Sequence, residues 1–386
     1  MNQFYTAESV TEGHPDKLCD IIADSVLDDC LSYDPFSRVA CEVLATRGQI
    51  IAAGEITSRR SPDISAIVRS VLSEIGYDPE KYNIQCFIHK QSPDIADGID
   101  NPLEERMEHE DPPPIHLGAG DQGVMVGYAC DETRQLLPLP VVLARRLTNR
   151  LTAARKSGQL PILRPDGKAQ VTVEYDENGN PARLDTVVLS AQHDPDVPQD
   201  ELFWELTDKV LFPALKLLPP DEDTKILLNP AGRFVVGGPD GDTGLTGRKL
   251  AADFYGVFAP HGGGALSGKD PTKVDRSGAY MARYLAKNLA AAGLCRKCQV
   301  TLAYAICKAE PVMLSVDTFG TGAACADDAL ADALKFLFDL TPYGIISRFR
   351  LFQFQYTKTA RLGHFGNPEF PWERTDQINR LRDAIL

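Results

Sequence analysis

The chain has no apolar run approaching the roughly 18 residues that a membrane-spanning helix needs. Its N-terminus lacks the charged-then-apolar pattern of a secretory leader. Positive charge is also in short supply, with 40 Lys and Arg against 54 Asp and Glu and a formal net charge of −14. That balance argues against a nucleic-acid coat and against binding to anionic membranes. Nor is there a disulfide or zinc framework. The nine cysteines are odd in number and scattered, and Cys295 and Cys298 form a CxxC with no second pair at zinc spacing. They read as surface or packing thiols, and the expectation is a reduced, soluble, cytoplasmic protein.

What is present is enough to build a large core. The chain has 386 residues, 43% of them hydrophobic, which suits two or three domains of roughly 100–200 residues each. Three segments repeat one plan. Helical periodicity from Pro15 to about Leu31 precedes alternating strands at Arg38–Thr46 and Ile50–Thr57. A strand at Gly123–Cys130 accompanies a helix near Pro140–Arg155, where Leu139, Leu143, Leu147 and Leu151 recur every fourth residue. A helix near Gly278–Ala292 precedes strands at Gln299–Ile306 and Val312–Thr318. Helical and strand periods alternate throughout, so the class is mixed α and β. Between the first two units, Gln91–Gly118 is polar, acidic and marked by Pro93, Pro102 and Pro112–Pro114. A connection of that length is either an active-site lid or a linker.

The densest chemistry lies in Gly237–Asp275, where glycines, lysines, an arginine and aspartates share one segment. Glycine lets backbone approach a ligand closely. Lysine and arginine neutralise phosphate oxygens, and aspartate holds the Mg²⁺ that accompanies nucleoside triphosphates. Together they read as a polyphosphate site, and composition alone also allows a glycine-rich surface loop. Gly263–Lys269 fits the start of a Walker A loop, but Asp270 stands where a Mg²⁺-ligating hydroxyl belongs. Glu8–Lys17 opens the first helix, with Pro15 suited to its first turn and its N-terminus suited to anions. His14 and Lys17 would face an incoming phosphate and Asp16 could hold a metal; a capping histidine with solvated charges is the alternative. Arg164–Lys168 and Gly118–Gly123 read, taken singly, as turns before strands.

Taken in order, ESVTEGHPDKLCD, GAGDQG, RPDGK, NPAGRFVVGGPDGDTGLTGRK, HGGGALSGKDPTKVDRSGAY and GHFGNPEFPWE resemble methionine adenosyltransferase (S-adenosylmethionine synthetase) of the bacterial type, from about Thr6 to Thr375. The resemblance implies an α+β fold of three interleaved domains of similar topology around a pseudo-threefold axis. Their expected extents are residues 1–100, 112–232 and 233–372, with 91–118 as a mobile active-site loop. It also implies a homodimer with its active sites at the interface, commonly paired into a tetramer. The implied reaction joins ATP and L-methionine: sulfur attacks C5′ of the ribose, and the triphosphate leaves and is cut to phosphate and diphosphate. Such an enzyme serves one-carbon metabolism.

By matching positions, His14 would support the leaving oxygen. Lys168, Arg248, Lys249 and Lys269 would neutralise the triphosphate, with Lys273 reaching the methionine end as well. Arg233 and Phe234 would flank the adenine, with Asp166 and Ala265 also contacting ATP. Glu55, Gln91, Asp121 and Asp242 would contact methionine, Asp242 also serving ATP. Asp16 and Asp275 would each hold one of two Mg²⁺, and Glu42 one K⁺. Cys307 departs from the glycine that relatives commonly carry there. Competing readings are an ATP-dependent kinase or ligase with another acceptor, and a non-catalytic nucleotide-binding protein. The second expects losses at His14, Asp16, Lys168, Lys269 and Asp275, all of which are present.

Overall fold

A computed structural model describes residues 3–107, 117–322 and 325–385. The first strand, β1 (Gln3–Val10), leads into α1 (Pro15–Tyr33), which His14 caps and Pro15 opens. Leu18, Ile21, Ile22 and Val26 are fully buried along this helix, as their spacing predicts. It packs on β2 (Arg38–Thr46), which a two-residue turn with Gly48 at φ 69° joins to β3 (Gln49–Thr57). Then come α2 (Ile64–Ile75), β4 (Asn83–His89) and two short helices, α3 (Pro93–Asp100) and α4 (Leu103–Met107). The next unit comprises β5 (Gly123–Cys130), α5 (Leu139–Lys156), β6 (Leu163–Tyr175), β7 (Pro181–His193), α6 (Gln199–Leu206) and β8 (Lys225–Leu228). The last contains β9 (Gly244–Leu245), α7 (Val274–Ala291), β10 (Lys297–Tyr304), β11 (Met313–Asp317) and α8 (Asp327–Leu337).

The strands form three sheets, in the orders β4-β3-β2-β9, β1-β6-β7-β8 and β11-β10-β5. Each sheet draws strands from two different stretches of sequence. β9 reaches back to β2, β1 reaches forward to β6, and β5 pairs with β10. Each sheet also carries a helix: α1 on β2, α5 on β6 and β1, and α7 on β5 and β10. This is the interleaved α+β architecture that the sequence leads one to expect. Among the described residues, no helix is long and apolar enough to cross a membrane.

One sequence expectation changes and another is narrowed. Arg164–Lys168 is no hairpin turn but lies inside β6, where the pairing with β7 shifts between Leu163 and Gly167. Such an irregularity re-aims side chains at the end of a strand, and here it turns Asp166 inward while Lys168 pairs opposite Val10. Cys295 and Cys298 are packing thiols rather than surface ones. Both are buried, and the Cys298 thiol donates to the Ala286 carbonyl at 3.3 Å.

Candidate functional site

The site is organised along one face of α1. Asp16, Asp20, Asp24 and Asp28 recur every fourth residue, so their carboxylates stack on one side of the helix. Each one accepts backbone N–H groups from far along the chain, between Leu245 and Thr357. Asp16 Oδ1 accepts Leu245 N at 3.0 Å, Asp20 Oδ1 accepts Gly247 N at 2.9 Å, and Asp24 Oδ1 accepts Gly268 N at 2.8 Å. Asp28 accepts Tyr356 N at 2.7 Å and Thr357 N at 2.9 Å. The glycine-rich segment is thus sewn onto the first helix by charge-assisted bonds. Only Asp16 of these four carries a role in the sequence reading. The i, i+4 spacing was visible, but an acidic stripe on a helix is ordinarily a solvated face.

At the head of α1, a cavity of about 350 Å³ is lined by His14, Asp166, Lys168, Phe234 and Asp242, together with Asn229 and Ser190. His14 is held with Nδ1 accepting the Asp16 backbone N–H at 3.2 Å. Burial, then the Lys249 ammonium, lowers its pKa to about 4, so the imidazole is neutral at physiological pH. With Nδ1 used as an acceptor, the ring proton sits on Nε2. Burial likewise raises the Asp166 carboxyl to about 6, although Oδ2 accepts Gly238 N at 2.7 Å. Burial opposes the charge on Asp16 too, yet the Lys249 ammonium at 2.6 Å and the Leu245 N–H outweigh it and keep this carboxyl below its usual range. Arg248 lies 3.7 Å from the same carboxylate. Arg233 is exposed and does not line the cavity, whereas its neighbour Phe234 does. Phe234 is anchored on His193 through an N–H···Nε2 bond of 3.1 Å. Ser190 and Asn229 are additions that the sequence reading missed. Asn229 sits at φ 43°, with Oδ1 holding Ala191 N at 2.7 Å; its NPAG context was the available signal.

Lys17 does not face the cavity. It is buried and paired with Asp20 at 3.1 Å and with Asp253. The expectation that it greets phosphate fails because Asp253, which is remote in sequence, consumes its charge.

A second group follows Gly268, whose N–H is held by Asp24, about two turns beyond Asp16 on α1. Lys269 pairs with Asp275, and Lys273 pairs with Asp270 at 2.6 Å. Lys269 bridges to Ala40 on β2, and Ala40 stands opposite Glu55 on β3. Directly opposed residues share a sheet face, as do residues two apart. Glu42, Glu55 and Lys269 therefore occupy one open face, where both glutamates are exposed. Asp121 is exposed beside the Gly120 N–H that donates to Thr272 O at 3.1 Å. Gln91 sits at the end of the same sheet, its N–H on Thr57 Oγ1 at 3.3 Å and its Oε1 buried without a partner among the described residues. Ala265 packs against Gly247, between the two groups. Among the described residues no hydrogen bond or ion pair joins the His14–Asp16 group to the Lys269–Asp275 group.

The acidic connection expected at 91–118 carries α3 and α4. Although the segment is polar and acidic, Ile99 and Pro102 are buried in and beside α3 and α4. Glu104 accepts Ala309 N at 3.1 Å and Lys308 Nζ at 3.0 Å. Residues 108–116 of this segment lie outside the described residues. Cys307 occupies the left-handed region at φ 62°, a backbone conformation that favours glycine. Its N–H donates to Ala119 O at 2.9 Å and its carbonyl accepts Leu103 N at 2.8 Å.

Three family models match the chain in order: S-adenosylmethionine synthetase, N-terminal domain, over residues 2–93; central domain, over 116–234; and C-terminal domain, over 236–374.

Proposed function

The chain belongs to the S-adenosylmethionine synthetase family, and from that premise we propose that it makes S-adenosyl-L-methionine from ATP, L-methionine and water at a composite site. The observation that carries the reading is the cavity at the head of α1. There a neutral His14 faces Lys168, with Phe234 and Asp242 completing the wall.

The chemistry asks little of acids and bases. A thioether lone pair forms the S–C5′ bond while the C5′–O5′ bond breaks, and the triphosphate leaves with that electron pair. No proton leaves sulfur, so catalysis rests on in-line positioning and on charge placed at the leaving oxygen. His14 Nε2–H is the donor for that oxygen, and a neutral ring can hold it there without repelling Lys249. Lys168, Arg248 and Lys249 take the triphosphate from one wall, with Lys168 released from its ion pair to Glu8 at 2.6 Å. Phe234 and Asp166 seat the adenosine end, with the exposed Arg233 at its mouth. The released triphosphate is then hydrolysed to phosphate and diphosphate.

Lys269, Lys273 and Asp275 belong to the second group, as do Glu55, Gln91 and Asp121 for methionine. Their separation from the His14 group, and their place on an open face, support a homodimer in which one subunit's second group completes its partner's cavity. Pairing of dimers into a tetramer goes with this reading.

The donor set fits Mg²⁺. No cluster of three or more metal-ligating side chains exists among the described residues, but Mg²⁺ is commonly held by one or two carboxylates plus substrate phosphates. Asp16 and Asp275 are single carboxylates, each already facing a lysine ammonium. They would hold one ion apiece, and Glu42 would offer its exposed carboxylate to K⁺. Bound Mg²⁺ supplies neutralisation of the triphosphate oxygens as charge gathers on them. The nine free cysteines, six of them buried, accord with a reducing cytoplasm.

Incubating the protein with ATP, methionine, Mg²⁺ and K⁺ tests the reading. S-adenosylmethionine should form with equal phosphate and diphosphate, and formation of ADP would overturn it in favour of a kinase. Closure of 91–118 over methionine is part of the same proposal. Amides of α3 and α4 should exchange more slowly when methionine and a non-hydrolysable ATP analogue are bound. Unchanged exchange in saturated protein would reduce this segment to a connector.

A further inference from the structure

The motif GHFGNPEFPWE lies near the C-terminal end of the chain and contributes nothing to the cavity lining, yet its histidine is fully buried. The reason is a continuous polar chain through the core. His364 Nδ1 shares a 2.9 Å hydrogen bond with the Tyr280 hydroxyl, which accepts Arg276 Nε–H at 3.1 Å. Arg276 then forks onto Asp24, Nη1 to Oδ1 and Nη2 to Oδ2, both at 2.7 Å. Arg276 Nη1 also donates to the Lys269 carbonyl at 3.0 Å, while Asp24 Oδ1 accepts the Gly268 N–H at 2.8 Å. The ion pair therefore grips two successive residues of the loop that carries Lys269.

We propose that Asp24, Arg276, Tyr280 and His364 form a positioning relay that fixes the Gly268–Lys269 backbone and so aims the Lys269 ammonium. The inference rests on the proposed role of Lys269 at the triphosphate. The four residues are positioning residues, since none of them reaches the cavity.

Several features fit a relay better than a filler of core volume. All four side chains are buried completely, and a buried ion pair by itself contributes little net stability over an apolar replacement. Thr359 Oγ1 adds a contact to Arg276 Nη2 at 3.1 Å. The Tyr356 ring covers the guanidinium carbon at 4.2 Å. Tyr280 is clamped by Trp372, the rings stacked 3.7 Å apart at 5°, and the Trp372 indole N–H holds the His364 carbonyl at 2.8 Å. Burial, then the nearby Arg276 charge, pushes the His364 pKa well below its ordinary value. Its ring is neutral and adds no competing charge. Gly268 sits at φ 80°, and a side chain there would strike the Cys41 carbonyl. The loop thus has one tight seat on β2, and the relay determines how Lys269 leaves it.

The test is a double-mutant cycle in the full-length protein. Tyr280→Phe keeps the stack on Trp372 and removes only the hydroxyl. Losing one such hydrogen bond should lower kcat about fivefold, with the KM for methionine unchanged. In a Lys269→Ala background the same change should cost nothing further, because the group being aimed is gone. Equal losses in both backgrounds would overturn the relay and leave Tyr280 a structural residue. A Lys269→Ala protein with wild-type kcat would instead overturn the role of Lys269 itself, so the two failures are distinct. Should Tyr280→Phe not fold, the His364 pair decides. His364→Asn places an amide near the Nδ1 position and should keep most of the activity. His364→Leu should lose it by a similar factor, and indistinguishable kcat values for the two would also overturn the proposal.

Discussion

Lys269→Ala is expected to lower kcat for adenosyl transfer by about two to three orders of magnitude, because a preorganised charge on a leaving group is worth about 3–4 kcal/mol. The KM for ATP should change far less, since in the proposed site Lys168, Arg248 and Lys249 would still bind the triphosphate from the other wall. The substitution also frees Asp275 of its ammonium partner. The carboxylate is only 13% exposed, and a buried charge stripped of its partner is costly, so a modest loss of thermal stability in substrate-free protein should accompany the kinetic defect. Lys269→Arg keeps the charge but spreads it over a planar fork, so it should recover only part of the rate. Steady-state kinetics on protein shown to be folded decide the matter. A kcat within twofold of wild type would remove Lys269 from the catalytic machinery.

Gly244→Ala is expected to cost about as much activity by a different route. Here β9 runs directly against the start of α1. A Cβ at 244 would overlap the Pro15 carbonyl and lie 2.6 Å from the Asp16 nitrogen. The neighbour is backbone, so it cannot step aside as a flexible side chain could. Overpacking of this kind costs about 1–3 kcal/mol. More to the point, the strand must lift away from the helix, and it carries Leu245 N and leads to Arg248 and Lys249, all of which address Asp16. A displacement of about 1 Å at a catalytic group can cost a hundredfold in rate. Both kcat and unfolding free energy should therefore fall together. An active protein with only a stability defect would show that the approach of β9 to α1 serves folding alone.

Much of the local structure follows from the sequence by simple rules. Pro15 after a capping histidine starts α1, and the fourfold leucine recurrence places α5 on β6. The Gly/Lys/Asp segment between Gly237 and Asp275 supplies Lys249 to Asp16 and Lys269 to Asp275. What stayed hidden depends on partners far away in the chain. RPDGK has the composition of a turn, but pairing of Val10 with Lys168 draws it into β6. Lys17 looks like a phosphate ligand until Asp253 arrives from more than two hundred residues away to neutralise it. Asp20, Asp24 and Asp28 look like a wet face until backbone N–H groups of Gly247, Gly268, Tyr356 and Thr357 settle on them. The exchange of β1, β5 and β9 between units leaves no local trace at all, since alternation shows a strand without naming its neighbour.

The proposed activity requires bond cleavage between C5′ and the bridging oxygen of ATP, with methionine sulfur as the nucleophile. ATP carrying ¹⁸O at that bridging position, turned over with methionine and analysed by mass, tests it most directly. All label should appear in phosphate and diphosphate, and none in any product that contains adenosine. Label retained on an adenosine-containing product would place cleavage at phosphorus and contradict the account.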